Sequence, residues 1–290
     1  MSHPIRFGLK VSGQRTTAAE LRSCWRIADE ARFDHLWDFD HLAGVKASGV
    51  ESPIFEGWAL LAAMAEATEH VRIGCLVTGN TYRHPAVLAK FAVTVDHLSG
   101  GRLEFGIGAG WAQIEHEMNG IEGLDHRVGR LSEALQVFKS LWTEERTNFE
   151  GRYYQFRDAV ANPKPIQKPY PPIWIGARGD TTLKLVARHA DVWNVTGVKN
   201  ADEAARLGEK LSEEMQREGR APEAIRRSAQ VFWDGEDRPR LAADVASYLD
   251  KGFTEIVIFP DVRATGTDIV AAAAAAADEL PKLRRLPARA

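Results

Sequence analysis

Short apolar runs alternate with amphipathic stretches along almost the whole chain. The apolar runs predict eight strands, at residues 5–10, 35–38, 71–77, 102–107, 173–175, 191–195, 227–233 and 255–259. Each is followed by a stretch with helical periodicity, at residues 18–31, 55–68, 86–98, 127–142, 181–189, 202–218, 240–250 and 268–280. Thr17 and Asp180 stand where helix N-caps are expected. The pattern is that of the α/β class.

Eight strand–helix units without a charged or Pro/Gly-rich linker favour one closed (β/α)8 TIM barrel over the alternative, a doubly wound open sheet. The barrel is predicted to be a single domain over residues 1–290. Such barrels typically need about 250 residues. Segment 144–172 breaks the alternation with two aromatic-rich runs about Gly151, followed by several prolines. It predicts a hairpin and an extended connection inserted between strands 4 and 5, and such insertions often form lids or partner contacts.

Composition excludes several classes of partner and location. A net charge of −3 gives no general attraction to nucleic acid or to an anionic membrane surface. The small-apolar run 269–277 is far shorter than the roughly 20 residues of a membrane-spanning helix. Cys24 and Cys75 match no metal or redox spacing, and no signal peptide is predicted at the N-terminus. We therefore expect a cytoplasmic protein with reduced thiols.

Segment 71–111 predicts both architecture and the place of a site. A strand, a polar turn at 78–84, a helix and a second strand form a crossover whose strands lie parallel. The second strand ends in alternating Gly106, Gly108 and Gly110, of which the last two can adopt positive φ and let the backbone approach a flat ring. Because ligands bind at the C-terminal ends of parallel strands, the C-terminal ends of both strands should border a binding site. The spacing is not the dinucleotide fingerprint, and a tight strand exit without a ligand is the alternative.

A second candidate site is segment 173–181. A strand ends in the small residues Gly176 and Ala177, and a helix begins directly afterwards. Free N–H groups at a helix N-terminus suit a phosphate, while Arg178 adds a cation and Gly179 an unobstructed backbone. The alternative is an ordinary strand–helix turn with a solvated arginine.

Asp40 and His41 follow the second strand, where a carboxylate beside an imidazole can serve proton transfer. The alternative is an incidental pair in a loop. His116 with Glu115 and Glu117 resembles a metal cluster, but consecutive helical residues point in different directions. No metal site is predicted.

These motifs together resemble the bacterial luciferase-like superfamily and, within it, the deazaflavin-dependent oxidoreductases that use coenzyme F420. The motifs are FDHLWDFDHL, TYRHPAVLAKFAVTVDHLSGGRLEFGIGAGW, and PPIWIGARGD with ARHADVWN, in order and on matching elements. The resemblance covers residues 5–197 and extends through a motif-poor tail to 280. It implies a (β/α)8 barrel with the deazaflavin ring lying across the C-terminal strand ends.

The resemblance also assigns roles to residues. His41 would be the proton donor or acceptor, and Asp40 would orient His41 or contact the ring. A non-prolyl cis peptide behind the ring is implied at Leu76 and Val77. The implied cofactor-binding residues are Asp40, Leu76, Val77, Gly79, Gly108, Ala109, Gly110 and Trp111 for the ring, and Gly176, Ala177, Arg178 and Gly179 for the phosphate.

Two positions depart from the pattern. Some alcohol-oxidising members carry a glutamate where this chain has Trp111, and a tryptophan where it has Val45. Both departures argue against a sugar-phosphate dehydrogenase and favour a less polar substrate. Further residues expected to shape the mouth or the choice of substrate are Tyr82, Arg83, Tyr153, Tyr154 and the loops 11–16 and 42–54.

The predicted function is an F420-dependent oxidoreductase that transfers a hydride between C5 of the deazaflavin and a small organic substrate, with His41 moving the proton. An FMN-dependent monooxygenase of the same family, supplied by a reductase partner, is the first alternative. A catalytically silent flavin-binding barrel is the second, and a nicotinamide-dependent dehydrogenase ranks last because its fingerprint is absent. The resemblance further implies a homodimer formed through the helices that flank strands two and three.

Overall fold

Parallel strands form a nearly closed barrel in the computed structural model, which describes residues 3–45, 49–261 and 267–287. The strands are β1 (Arg6–Lys10), β2 (His35–Asp38), β3 (Arg72–Cys75), β4 (Thr78–Gly79), β5 (Phe105–Gly108), β6 (Thr147–Glu150), β7 (Gln155–Ala159), β8 (Ile173–Ala177), β9 (Val192–Val195), β10 (Arg226–Trp233) and β11 (Glu255–Pro260). The barrel sheet has the order β3-β2-β1-β11-β10-β9-β8-β5-β4, with parallel pairing between the strands that pair. The predicted α/β barrel is confirmed.

β3 and β4 are two parts of one barrel strand, separated by Leu76 and Val77. The peptide bond between these two residues is cis, as the resemblance implies. β4 pairs with β5, and Ile73 of β3 forms a parallel bridge with Leu103 just ahead of β5. The two ends of the sheet therefore meet and close the barrel. The third strand is thus broken where a continuous strand to residue 77 is predicted, and residues 78–79 belong to the sheet rather than to the turn.

Nine α-helices lie in the described ranges. They are α1 (Ala18–Glu30), α2 (Gly57–Ala67), α3 (Pro85–Leu98), α4 (Gln113–Asn119), α5 (Arg127–Thr143), α6 (Asp180–His189), α7 (Ala201–Arg217), α8 (Arg238–Asp250) and α9 (Ile269–Leu283). Eight of them stand where periodicity predicts a helix, whereas the seven-residue α4 is too short to show a period. None of these helices has the length and apolar character needed to cross a membrane.

Thr17 and Asp180 are predicted to be helix N-caps, and the structure agrees for Thr17 only. Thr17 caps α1, and with Glu20 it forms a complete capping box. The prediction for Asp180 is wrong, because Gly179 is the N-cap and Asp180 is the first residue of α6. The Asp180 carboxylate instead accepts a hydrogen bond from Nζ of Lys210 at 2.9 Å.

The predicted insertion between the fourth and fifth barrel strands contains a hairpin. β6 and β7 pair antiparallel, with Phe149 opposite Phe156. This two-stranded sheet is separate from the barrel sheet. The prediction of a hairpin in segment 144–172 is therefore confirmed.

Two apolar layers hold the barrel together. The larger layer lies between the sheet and the helices and includes Phe105, whose ring centroid is 5.0 Å from that of Trp142. The smaller layer fills the barrel interior, where Trp37 and Trp174 meet edge to face at 4.6 Å. Filling of the interior by side chains makes such a barrel a packed core rather than a pore.

Two buried carboxylates, a buried histidine and three partly buried arginines lie at the N-terminal end of the barrel. This basal ion cluster consists of Arg6, His35, Arg72, Glu104, Arg226 and Glu255, five of which are the first residues of their strands. Glu255 accepts hydrogen bonds from Arg6 at 2.9 Å and from Arg226 at 2.8 Å, and lies 3.0 Å from Nε2 of His35. The buried carboxylates thus have the charged partners that such groups need.

Candidate active site

The C-terminal strand ends open into a cavity of about 810 Å³, a volume typical of cofactor sites. Every residue predicted to be catalytic or to bind the cofactor contributes to the lining of this cavity. These residues are Asp40, His41, Leu76, Val77, Gly79, Gly108, Ala109, Gly110, Trp111, Gly176, Ala177, Arg178 and Gly179. The structure thus brings residues from the C-terminal ends of four barrel strands to one cavity, while the roles of the residues stay predictions.

Glycines give the cavity a flat wall beside Val77. A Cβ atom on Gly108 would lie 2.9 Å from a methyl group of Val77, and one on Gly176 would lie 3.2 Å from the same methyl group. Gly110 adopts a φ of +88°, as the sequence allows. Gly108 could also adopt a positive φ, but it does not do so in the structure. Val77 therefore leaves little room for a side chain at Gly108 and Gly176, and the positive φ of Gly110 favours glycine at that position.

His41 is held by a glutamate from α4. Nδ1 of His41 lies 2.7 Å from Oε2 of Glu115. The other oxygen of this carboxylate accepts hydrogen bonds from the backbone N–H groups of Leu42 at 2.6 Å and Ala43 at 2.9 Å. The hydroxyl of Tyr82 donates to Oε2 at 2.6 Å. The carboxylate that orients the imidazole is therefore Glu115.

The charge states of this group follow from its hydrogen bonds. Burial opposes ionisation of Glu115, but hydrogen bonds from His41 and Tyr82 outweigh it and lower the pKa of Glu115 to about 2. Burial and the nearby carboxylate raise the pKa of Tyr82, so its hydroxyl stays protonated. Since Glu115 is ionised, Nδ1 of His41 must carry the proton in their hydrogen bond. Nε2 is then the ring nitrogen available to the cavity that His41 lines.

Asp40 is bound by an arginine and does not hydrogen bond to His41. Arg83 donates to both oxygens of Asp40, at 2.6 and 2.9 Å, and also to Glu56. Both carboxylates raise the pKa of Arg83, although burial of the guanidinium acts in the opposite direction. Of the two roles predicted for Asp40, orienting His41 or contacting the ring, the hydrogen bonds favour the second, because both carboxylate oxygens pair with Arg83. Contact with the ring stays a prediction.

Three residues expected at the mouth lie elsewhere. Arg83 is committed to Asp40, Tyr153 packs against the guanidinium of Arg130 at 5.1 Å, and Tyr154 is 9% exposed. Tyr82 does line the cavity. The hairpin therefore does not shape the described part of the mouth.

The first turn of α6 faces the cavity through Gly179 and residues 180–182. Gly179 supplies no side chain to the backbone N–H groups that follow, so these donors can bind an anion. Arg178 stands beside them, where it donates to the carbonyl of Gly197 at 2.7 Å and to Glu203 at 3.0 Å. Glu203 thus partly neutralises the positive charge of Arg178 at the edge of the cavity.

Several cavity residues are missing from the sequence prediction. Lys10 is 6% exposed and donates to the carbonyl of Leu76 at 2.6 Å and to Gln230 at 3.0 Å. Phe232 and Phe259 come from the ends of β10 and β11. Their positions at strand ends are the signal that could have identified them.

The two loops expected to choose the substrate contribute unequally. Loop 11–16 is absent from the described cavity lining, while Val45 of loop 42–54 belongs to it. Residues 46–48 of the second loop lie outside the described part of the chain.

The side chains of residues 115–117 diverge, as predicted. Glu115 turns to His41, while Nε2 of His116 lies 2.7 Å from the hydroxyl of Thr81 and Glu117 accepts a hydrogen bond from Gln113. The three side chains therefore point in different directions, and the contact between Glu115 and His41 is not evident from the sequence.

The fold and the site define a barrel enzyme whose ligand cavity lies at the C-terminal strand ends. The luciferase-like monooxygenase family matches residues 1–285, and the chain belongs to this family of oxidoreductases. F420-dependent glucose-6-phosphate dehydrogenase of Microbacterium testaceum (strain StLB037) is 35% identical over 205 residues, which cover 70% of this chain and 60% of that protein. The chain thus matches only about 60% of the length of such relatives.

Solved structures share the fold at low sequence identity. An F420-dependent secondary alcohol dehydrogenase in complex with an F420-acetone adduct has a TM-score of 0.82 at 17% identity, covering 97% of this chain and 99% of that one. The coenzyme F420 dependent tetrahydromethanopterin reductase from Methanopyrus kandleri has a TM-score of 0.81 at 16% identity, with the same coverage. These likenesses establish the barrel architecture.

Proposed function

We propose that the protein is an F420-dependent oxidoreductase that transfers a hydride between the cofactor ring and an apolar organic substrate, while His41 donates or accepts the accompanying proton. One observation carries the proposal. A flat glycine wall, an uncapped helix N-terminus and a glutamate-bound imidazole border the same cavity.

The residues present fit a deazaflavin cofactor. Gly108 and Gly176 leave room for a planar ring against the wall beside Val77, because any larger side chain there would meet Val77. The N–H groups that follow Gly179, together with Arg178, suit the phosphate of the cofactor. When bound, the deazaflavin supplies a ring carbon that gives or accepts a hydride.

His41 can balance the proton of such a reaction. Reduction of a carbonyl or an activated carbon–carbon double bond adds a hydride to one atom and a proton to the other. Nδ1 is committed to Glu115, so in reduction the doubly protonated ring gives the proton on Nε2, and in oxidation the ring that is protonated on Nδ1 alone accepts a proton at Nε2. Tyr82 cannot take this role while its hydroxyl is bonded to Glu115.

The cavity lining favours an apolar substrate. Phe39, Val45, Phe232 and Phe259 line the cavity, and the Trp111 ring lies edge-on to His41 at 5.5 Å and is 54% exposed. A phosphate or a sugar placed against these groups would lose hydration without gaining hydrogen bonds. We therefore propose an uncharged substrate with an apolar body, in contrast to the hexose phosphate named for the dehydrogenase relatives.

Cofactor titration tests the proposal. The purified protein is titrated separately with F420 and FMN, and binding is followed by fluorescence. F420 should bind, and the loaded enzyme should turn over uncharged carbonyl or unsaturated substrates but not glucose 6-phosphate. H41Q should lose most of this turnover, whereas H70Q, which changes a partly exposed histidine, should keep it.

Other outcomes point to the alternatives. Tight binding of FMN alone would favour the two-component monooxygenase, which needs a reductase partner. Binding of F420 without turnover of any substrate in the panel would favour the silent barrel. Turnover of glucose 6-phosphate would contradict the apolar substrate.

We also propose that the protein forms a homodimer through α3. Val87, Phe91 and Leu98 are 49%, 42% and 44% exposed, and their spacing places them along one side of the helix. Such an exposed apolar stripe is typical of an association surface. A second copy of the chain is the occupant that we propose.

A further inference from the structure

We infer that Glu115 is a positioning residue, which holds the proton of His41 on Nδ1 and thereby sets the pH range in which Nε2 exchanges a proton with the substrate. The inference rests on the proposed role of His41. It extends that role to a residue whose carboxylate lies behind the imidazole and is absent from the described cavity lining.

The hydrogen bonds of Glu115 support a role that acts through His41. Its side chain is 0% exposed, and its two oxygens accept bonds from the backbone of Leu42 and Ala43, from Tyr82 and from His41. Two of these donors belong to the residues that directly follow His41. The carboxylate therefore fixes both the loop and the ring plane, as second partners do for histidines that must present one defined nitrogen.

The charged groups around His41 show which carboxylate affects protonation of its imidazole. On its own segment, Asp40 is neutralised by the two-pronged hydrogen bond from Arg83. From the turn before α3, Tyr82 approaches Nδ1 to 3.5 Å as a neutral phenol. From α4, Glu115 has His41 as its ion-pair partner. An ionised carboxylate at this distance favours the protonated imidazole, so its removal should make His41 a weaker base.

Tyr82 provides an opposing perturbation. Its hydroxyl donates to Oε2, the same oxygen that faces Nδ1 of His41. Removing this hydroxyl leaves more of the carboxylate charge for the imidazole. Y82F should therefore shift the titration of His41 in the direction opposite to E115Q.

Nuclear magnetic resonance of the cofactor-free protein tests the inference without turnover. Long-range ¹H–¹⁵N correlations give the tautomer of His41, and a pH series gives its titration midpoint. We expect the Nδ1–H tautomer in the parent protein. The midpoint should fall by about one pH unit or more in E115Q, rise in Y82F, and return towards the parent value in E115D. E117Q, which removes a carboxylate from the exposed side of the same helix, should leave the midpoint unchanged.

The outcomes separate this inference from the proposed function. A parent protein with the Nδ1 proton absent, or a folded E115Q protein whose His41 titrates at the same midpoint as the parent, would overturn the positioning role. If the expected shifts occur but H41Q keeps full turnover, the positioning role stands and the catalytic role of His41 fails. In the loaded enzyme, the pH profile of kcat should move to lower pH in E115Q, in step with the midpoint.

Discussion

Replacing Asp38 by asparagine should weaken the dependence of stability on pH. Asp38 is the last residue of β2 and is 1% exposed, and no described N–H or O–H group donates to its carboxylate. Burial is the main cause that raises the pKa of Asp38 to about 8. The Cys75 thiol and the Lys10 ammonium oppose this shift, whereas Asp40 and Glu56 add to it. The folded protein therefore keeps a proton that the unfolded chain loses.

The direction and size of the effect follow from this raised pKa. Between about pH 4, where the unfolded carboxyl titrates, and about pH 8, unfolding releases the Asp38 proton. Stability from this group is therefore fully present below pH 4 and is lost as pH rises to 8. One proton released corresponds to about 1.4 kcal/mol per pH unit, or about 2.7 kcal/mol between pH 5 and pH 7.

Urea unfolding of the parent protein and D38N at pH 5, 6 and 7 measures this contribution. The stability of D38N relative to the parent should increase by up to about 2.7 kcal/mol over this range, because asparagine does not titrate. D125N, which removes a carboxylate at an exposed position, should follow the parent at every pH. Equal pH slopes for the parent and D38N would refute the reasoning, since the carboxyl would then be ionised in the folded protein as well.

Two further predictions concern the base of the barrel and its outer surface. E255A leaves Arg6 and Arg226 without their main partner and should cost about 3–5 kcal/mol in urea unfolding. A loss as small as that of D202A, which breaks an exposed pair, would mean that the cluster contributes little. F91E should convert the proposed dimer to a monomer in sedimentation experiments while the circular dichroism spectrum stays the same. A parent protein that sediments as a monomer would contradict the α3 surface.

Hydrophobic patterning was sufficient to predict the barrel, because the relevant signal is local. Each strand and helix needs its own apolar period, and a chain of eight such pairs admits few architectures. The break after Cys75 is different. Thr78 and Gly79 look like turn residues along the sequence, and they join the sheet only because β5 lies beside them.

The candidate site was predictable in its location but only partly in its contacts. Residues at strand ends, such as His41 and Gly108, can be placed from topology alone. Glu115 could not be paired with His41, because the direction of a side chain on a short helix depends on how that helix docks after the glycine turn. The sequence leaves open whether Asp40 orients His41 or contacts the ring, because it does not show that Arg83 reaches Asp40 from a separate loop.

The separation between the basal ion cluster and the cavity has a consequence for how such a protein can change over time. The basal ion cluster and the candidate site lie at opposite ends of the barrel, with Trp37 and Trp174 between them. Substitutions of Trp111 or Phe232 at the mouth can therefore alter which molecules enter while the base keeps the barrel folded. Single substitutions at the mouth can therefore change substrate preference without a second, stabilising substitution in the rest of the barrel.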